Sequence, residues 1–131
     1  MKKDRLLNPE IIKEIAALGH TEYLCVADCG LPIPRGVKVI DVSVSAGLPH
    51  LLDVLRAIQS ELVIESYILA AELTERNPKL EQEIGRELGD LPCRHVPHET
   101  LKQLTSGAKC VIRTGETLSY ANVLIVGGVN F

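Results

Sequence analysis

Short apolar runs alternate along this chain with longer segments whose apolar residues recur every three or four positions, and Gly, Pro or Asn marks most changeovers. That alternation constrains the fold more than any other feature, because strand, helix and strand in succession pack back as a parallel sheet beneath helices. Asn8-Pro9-Glu10 opens the first helix with a capping side chain, a ring already at helical φ and a carboxylate near the positive end of the dipole. Ile11, Ile15 and Leu18 fall on one face, with Ile12 and Ala16 beside them. Gly19 is expected to close that helix in the left-handed conformation, leaving His20 just beyond its end. Tyr23–Ala27 reads as a buried strand that stops at Asp28, Gly30 and two prolines.

Residues 37–44 form a second expected strand carrying Asp41. Gly47-Leu48-Pro49 then leads into a helix with Leu51, Leu55, Ile58 and Leu62 aligned and His50 in its first turn as a surface residue. A third strand, residues 63–71, ends at Glu72. Asn77-Pro78 starts a helix along Leu80, Ile84 and Leu88, which Gly89 stops. Cys93–Val96 is a short strand, and Pro97-His98-Glu99 begins a brief helix reaching about Thr105. Residues 109–113 and 121–126 complete the set, and the Gly-containing loop between them suits an antiparallel hairpin.

A chain of 131 residues, 46% of them hydrophobic, fills one domain, 1–131, with a substantial core. Aromatic residues make up only 3%, so Leu, Ile, Val and Ala must build that core, as they do where parallel strands are covered on both faces. The expected fold is therefore α/β: a three-layer helix/sheet/helix sandwich around a mainly parallel, mixed sheet.

Composition also removes function classes. Net charge is only −3 and the Lys and Arg residues are scattered, so no phosphate-tracking surface for nucleic acid is expected. No apolar run approaches a membrane span, and the basic Met1-Lys2-Lys3 is followed by Asp4 and Arg5 rather than by an apolar leader segment. A cytoplasmic protein with its four cysteines reduced is the expectation. There is no G-x-G-x-x-G after a strand, no Walker lysine and no G-x-S-x-G, which leaves a nucleotide-binding core and a serine hydrolase unsupported. Cys93, His95 and His98 crowd one thiol and two imidazoles into six residues and suggest a metal-binding regulator. Against it, no second ligand pair stands at zinc spacing, and Cys25 and Cys110 lie in apolar strands, so no metal is expected.

What remains is polar chemistry at element ends. His20 follows a helix and Asp28 follows a strand, an imidazole and a carboxylate of the kind that proton transfer on a neutral molecule needs. Each also has a purely local reading: a cationic His complements a helix C-terminus, and an Asp caps its own turn. A third patch, from Arg113-Thr114-Gly115-Glu116 to Ser119-Tyr120-Ala121-Asn122, offers groups that hydrogen-bond hydroxyls.

In this order and spacing, several segments together resemble the D-ribose pyranases, a family related to the L-fucose mutarotases. They are Leu7-Asn8, Leu18-Gly19-His20-Thr21, Ala27-Asp28-Cys29-Gly30-Leu31-Pro32-Ile33-Pro34, Ile40-Asp41, Gly47-Leu48-Pro49, His98-Glu99, Val111-Ile112-Arg113-Thr114-Gly115-Glu116, Tyr120-Ala121-Asn122 and the closing Gly128-Val129-Asn130-Phe131. The sequence departs from the family at Cys29, where Ala is commoner, and in a compact stretch over residues 88–98. The resemblance implies interconversion of the β-pyranose and furanose forms of D-ribose without a cofactor. It implies His20 as proton donor and Asp28, His98, Tyr120, Ala121 and Asn122 as the sugar-binding set. It further implies ring-shaped homo-oligomers, commonly decamers of two stacked pentamers, with the site near a subunit boundary. The apolar C-terminal run from Val123 onward is compatible with such burial. An L-fucose mutarotase is the alternative within the same chemistry. A non-catalytic sugar-binding accessory of ribose uptake is the alternative outside it, and would not need His20.

Overall fold

The computed structural model describes residues 1–131. Its strands are β1 (Tyr23–Ala27), β2 (Lys38–Asp41), β3 (Ile64–Ala70), β4 (Cys93–Val96), β5 (Cys110–Arg113) and β6 (Val123–Gly127). The helices are α1 (Pro9–Ala17), α2 (Leu51–Gln59), α3 (Ala71–Arg76), α4 (Pro78–Leu88) and α5 (His98–Leu104), the last followed by a 3₁₀ turn, Thr105–Gly107. All six strands form one sheet in the order β2-β5-β1-β6-β3-β4. β1 and β5, β2 and β5, and β3 and β4 pair in parallel, while β6 runs antiparallel to both β1 and β3.

The strands are covered on both faces, and their side chains divide alternately between two cores. Leu24 and Val26 of β1 join a 20-residue cluster with Cys110 and Ile112 of β5, Val123 and Ile125 of β6, and the apolar faces of α1, α2, α3 and α4. Cys25, Ala27, Val111 and Leu124 point the other way, into an eight-residue cluster closed by Leu101 of α5 and by Leu31. The expected three-layer sandwich is thus present, with four helices on one face and one on the other.

Most expected elements form, with ends displaced by a residue or two, β2 being shorter than residues 37–44. Asn8 caps α1 by accepting from the backbone N–H groups of Glu10 (3.0 Å) and Ile11 (3.1 Å). Three expectations need correction. Residues 109–113 and 121–126 do not make a hairpin, because β1 lies between β5 and β6. The reason is that Val123, Leu124 and Ile125 are fully buried, so β6 needs a strand on each side, and the loop from Thr114 to Asn122 is long enough to cross the end of β1. Gly19 does not adopt the left-handed conformation: the helix ends on Leu18 at φ −70°, and Thr21 takes φ 68° instead. A side chain replaces the glycine's expected role, since Glu22 Oε2 accepts from the Gly19 N–H at 2.8 Å. Finally, the chain after β3 turns at once into α3, a six-residue helix where the sequence pattern marks no separate element.

Candidate active site

Parallel pairing sends β1, β3, β4 and β5 out of the sheet at the same end, where ligands of open α/β sheets sit. Asp28 follows β1, Glu72 lies just past β3, His98 follows β4, and the loop from Thr114 to Asn122 leaves β5 and re-enters at β6. Between them opens a cleft of about 420 Å³, with Asp28, His98, Glu116, Ser119 and Tyr120 among its walls and Cys29 to Pro32 along one side. That volume lies within the range of small-molecule sites.

Asp28 is held by three hydrogen bonds. Its own N–H donates to Asn122 Oδ1 (2.9 Å), Asn122 Nδ2 donates to Asp28 Oδ2 (3.0 Å), and the Gly30 N–H donates to Asp28 Oδ1 (2.9 Å). Turn capping and placement in the cleft, which the sequence offered as alternatives for Asp28, therefore coexist. Asn122 and Ala121 are fully buried and stand behind the cleft rather than in its wall. Asn122 acts on the site by orienting Asp28.

Across the cleft, the rings of His98 and Tyr120 meet edge to face, with centroids 5.0 Å apart and an interplanar angle of 83°. Tyr120 reaches that position from a left-handed backbone, φ 62°, which is uncommon for a side chain of its size. His98 Nδ1 is buried and has no hydrogen-bond partner, whereas its backbone N–H donates to Glu72 Oε2 at 2.7 Å.

The floor is pinned by contacts that the residue pattern did not reveal. Glu116 is only 4% exposed, and its carboxylate accepts from the N–H groups of Thr117 (3.0 Å), Leu118 (3.3 Å) and Leu51 (3.3 Å), tying the loop to the start of α2. His50, expected on the surface, is largely exposed, and its Nδ1 lies 3.5 Å from Glu116 Oε1. Arg113 donates twice to the Cys29 carbonyl, at 3.0 and 2.8 Å, and once to Asp41 Oδ2 at 2.9 Å. Hydrogen bonds from Ser43 first, and then the Arg113 guanidinium, hold the Asp41 carboxyl below its ordinary value. Gly115 is required by close approach: a Cβ there would meet the carbonyl oxygens of Leu48 and Ser45 at 2.5 Å.

His20 is not in this cleft. It precedes β1 and Asp28 follows it, so at about 3.3 Å per residue the five-residue strand alone separates them by roughly 16 Å. At that opposite end Thr21 N–H bonds to the Gly127 carbonyl (3.0 Å), and His20 Nε2 stands 3.3 Å from Glu65 Oε1, both side chains half exposed. The imidazole and carboxylate that the sequence grouped as one proton-transfer pair are thus apart within a single chain. Cys93, His95 and His98 do not converge either. His95 Nε2 lies 2.7 Å from Glu81 Oε1, and no three His, Cys, Asp or Glu side chains are placed to share a metal ion. No helix is long and apolar enough to cross a membrane.

Comparison with known proteins places the chain in a family. A protein of Laribacter hongkongensis named D-ribose pyranase is 46% identical over 131 residues, which is 100% of both chains. Another of that name, from Geobacillus kaustophilus, is 47% identical over 100% of this chain and 96% of its own length. The solved structure of Bacillus subtilis RbsD complexed with D-ribose superposes with a TM-score of 0.96 at 40% identity, covering 100% of each chain. The model of the RbsD / FucU transport protein family matches residues 1–130, and the chain belongs to that family.

Proposed function

We propose that this protein is a D-ribose pyranase, an isomerase that interconverts the β-pyranose and furanose forms of D-ribose by opening and reclosing the ring. The observation that carries the reading is the full-length likeness to proteins of that name. The cleft supports it. A neutral polyol needs mixed donors and acceptors rather than a cationic cluster, and Asp28, His98 and Tyr120 supply them.

Ring opening removes a proton from the anomeric hydroxyl and delivers one to the ring oxygen. Reclosure on another hydroxyl reverses both steps, so one imidazole, taking and returning a proton, serves throughout. Because mutarotation already proceeds in water, general acid–base catalysis of about 10²–10⁴-fold on a held sugar is sufficient, and the mechanism invokes no cofactor or metal. His20 is the proposed proton donor. With His20 opposite the cleft of its own chain, this reading takes the His20 that serves each cleft from a second copy of the chain. A homo-oligomer follows, and a ring, with the decamer of two stacked pentamers as its proposed form, supplies every cleft with a neighbour. Beside His20, the end of β6 runs into Val129 and the fully exposed Phe131, which with Ile15, Leu18 and Val63 form an apolar surface suited to burial against such a neighbour. The proposed place of work is the cytoplasm, where the four unpaired cysteines stay reduced.

Saturation-transfer NMR on D-ribose and L-fucose tests the reading directly. Faster pyranose–furanose exchange of ribose in the presence of the protein is the expected result. Faster exchange on fucose alone would make the protein a fucose mutarotase. Ribose binding without acceleration would make it a sugar-binding accessory.

A further inference from the structure

The short helix α3 reaches both sides of the cleft without lining it. β3 and β4 run parallel with Ala70 opposite Val96, so Glu72 and His98 each lie two residues past the same paired position. That register brings Glu72 Oε2 to 2.7 Å from the His98 N–H, a bond that caps α5 where its own preceding residue, Pro97, provides no side-chain cap. At the other end of α3, Asn77 Nδ2 donates to the Ser119 carbonyl at 2.8 Å. Ser119 immediately precedes Tyr120, whose left-handed backbone aims its ring at His98.

We propose that Glu72 and Asn77 are positioning residues that clamp the His98–Tyr120 wall of the cleft from its two sides, so that sugar affinity depends on a helix the sugar does not touch. Two long-range hydrogen bonds from one rigid element fix two rings that belong to different loops. The edge-to-face geometry requires that neither ring swing away. This clamp rests on the ribose reading of the cleft.

The test measures ribose affinity and the exchange rate at saturating ribose in paired variants. Glu72→Ala is expected to weaken affinity about 3–10-fold, the loss of one hydrogen bond, while the saturated rate stays within about twofold. Glu72→Gln, whose amide oxygen still accepts from the His98 N–H, should restore affinity, and Asn77→Ala should weaken it in the same direction. Introduced into His98→Ala, Glu72→Ala should produce no further loss, because its effect passes through the ring already removed. Equal losses in the two backgrounds, or unchanged affinity in Glu72→Ala, would overturn the clamp while leaving the substrate reading intact. If Glu72→Ala does not fold, the same cycle run with Asn77→Ala and Tyr120→Ala decides. If the wild-type protein does not bind ribose, the substrate reading fails on its own. The clamp is then judged by the His98 ring resonances, which Glu72→Ala must shift and Glu72→Gln must restore.

Discussion

Removal of His20 separates a proton donor from a surface charge. If it moves the proton, His20→Ala slows ribose exchange by about 10²-fold or more and leaves binding largely intact, since the groups of the cleft still hold the sugar. In the structure its partner is Glu65 at 3.3 Å with both groups half exposed, an arrangement that contributes little to stability, so the melting temperature should hardly move. Exchange spectroscopy with a melting curve on one preparation checks both, and near wild-type exchange would end the proposed role. Asp28 and Asn122 behave differently because they share two hydrogen bonds. Asn122→Ala strips the Asp28 N–H and one carboxylate oxygen of their buried partner, and should cost about 1–3 kcal/mol of stability as well as affinity. Asp28→Asn keeps an oxygen for the Gly30 N–H and should lose affinity with a smaller drop in melting temperature. Calorimetric titration with ribose beside thermal unfolding distinguishes the two, and a larger stability loss in Asp28→Asn would reduce Asp28 to its turn-capping role.

The elements were legible where the pattern is local. The Asn8-Pro9 start of α1, the aligned Leu80, Ile84 and Leu88 of α4 and the apolar run of β1 each announce themselves within a dozen residues, and each forms. What could not be read is partnership over distance. Nothing near residues 114–122 says that β1 will slip between β5 and β6, and nothing near Ala71 says that Glu72 will meet an N–H 26 residues away. The site shares this limit: Asp28 and the patch holding Tyr120 are legible at element ends, His98 only through the family resemblance, and the distance of His20 from them is a property of strand direction. The strands also make a prediction of their own about pH. Burial in β5 pushes the Cys110 thiol up to about 12, and burial in β1 pushes that of Cys25 higher still. A raised folded value means that the stabilising protonated form is fully favoured below the ordinary value of 9.0, and that stability falls as pH rises through the folded values. Thermal unfolding should therefore steepen in its pH dependence above about pH 9, and Cys25→Ala with Cys110→Ala should flatten it. An identical alkaline slope in the double variant would show that the thiols are not its source.

For the whole molecule, the apolar surface around Val129 and Phe131 and the proposed sharing of His20 both support the proposed association of chains. Light scattering at micromolar concentration should find an oligomer, and removal of residues 128–131 should loosen it and slow exchange together. A stable, active monomer would exclude any role for a neighbour. The placement of Asp28 and His20 at opposite ends of β1 has one more consequence, and it is genetic in kind. Two impaired proteins, one carrying His20→Ala and the other Asp28→Asn, should complement each other in part when unfolded and reassembled together. With random mixing, about a quarter of the clefts would pair an intact Asp28 from one chain with an intact His20 from the other. Exchange in the mixture would then exceed that of either parent, as it cannot when both groups serve from a single chain.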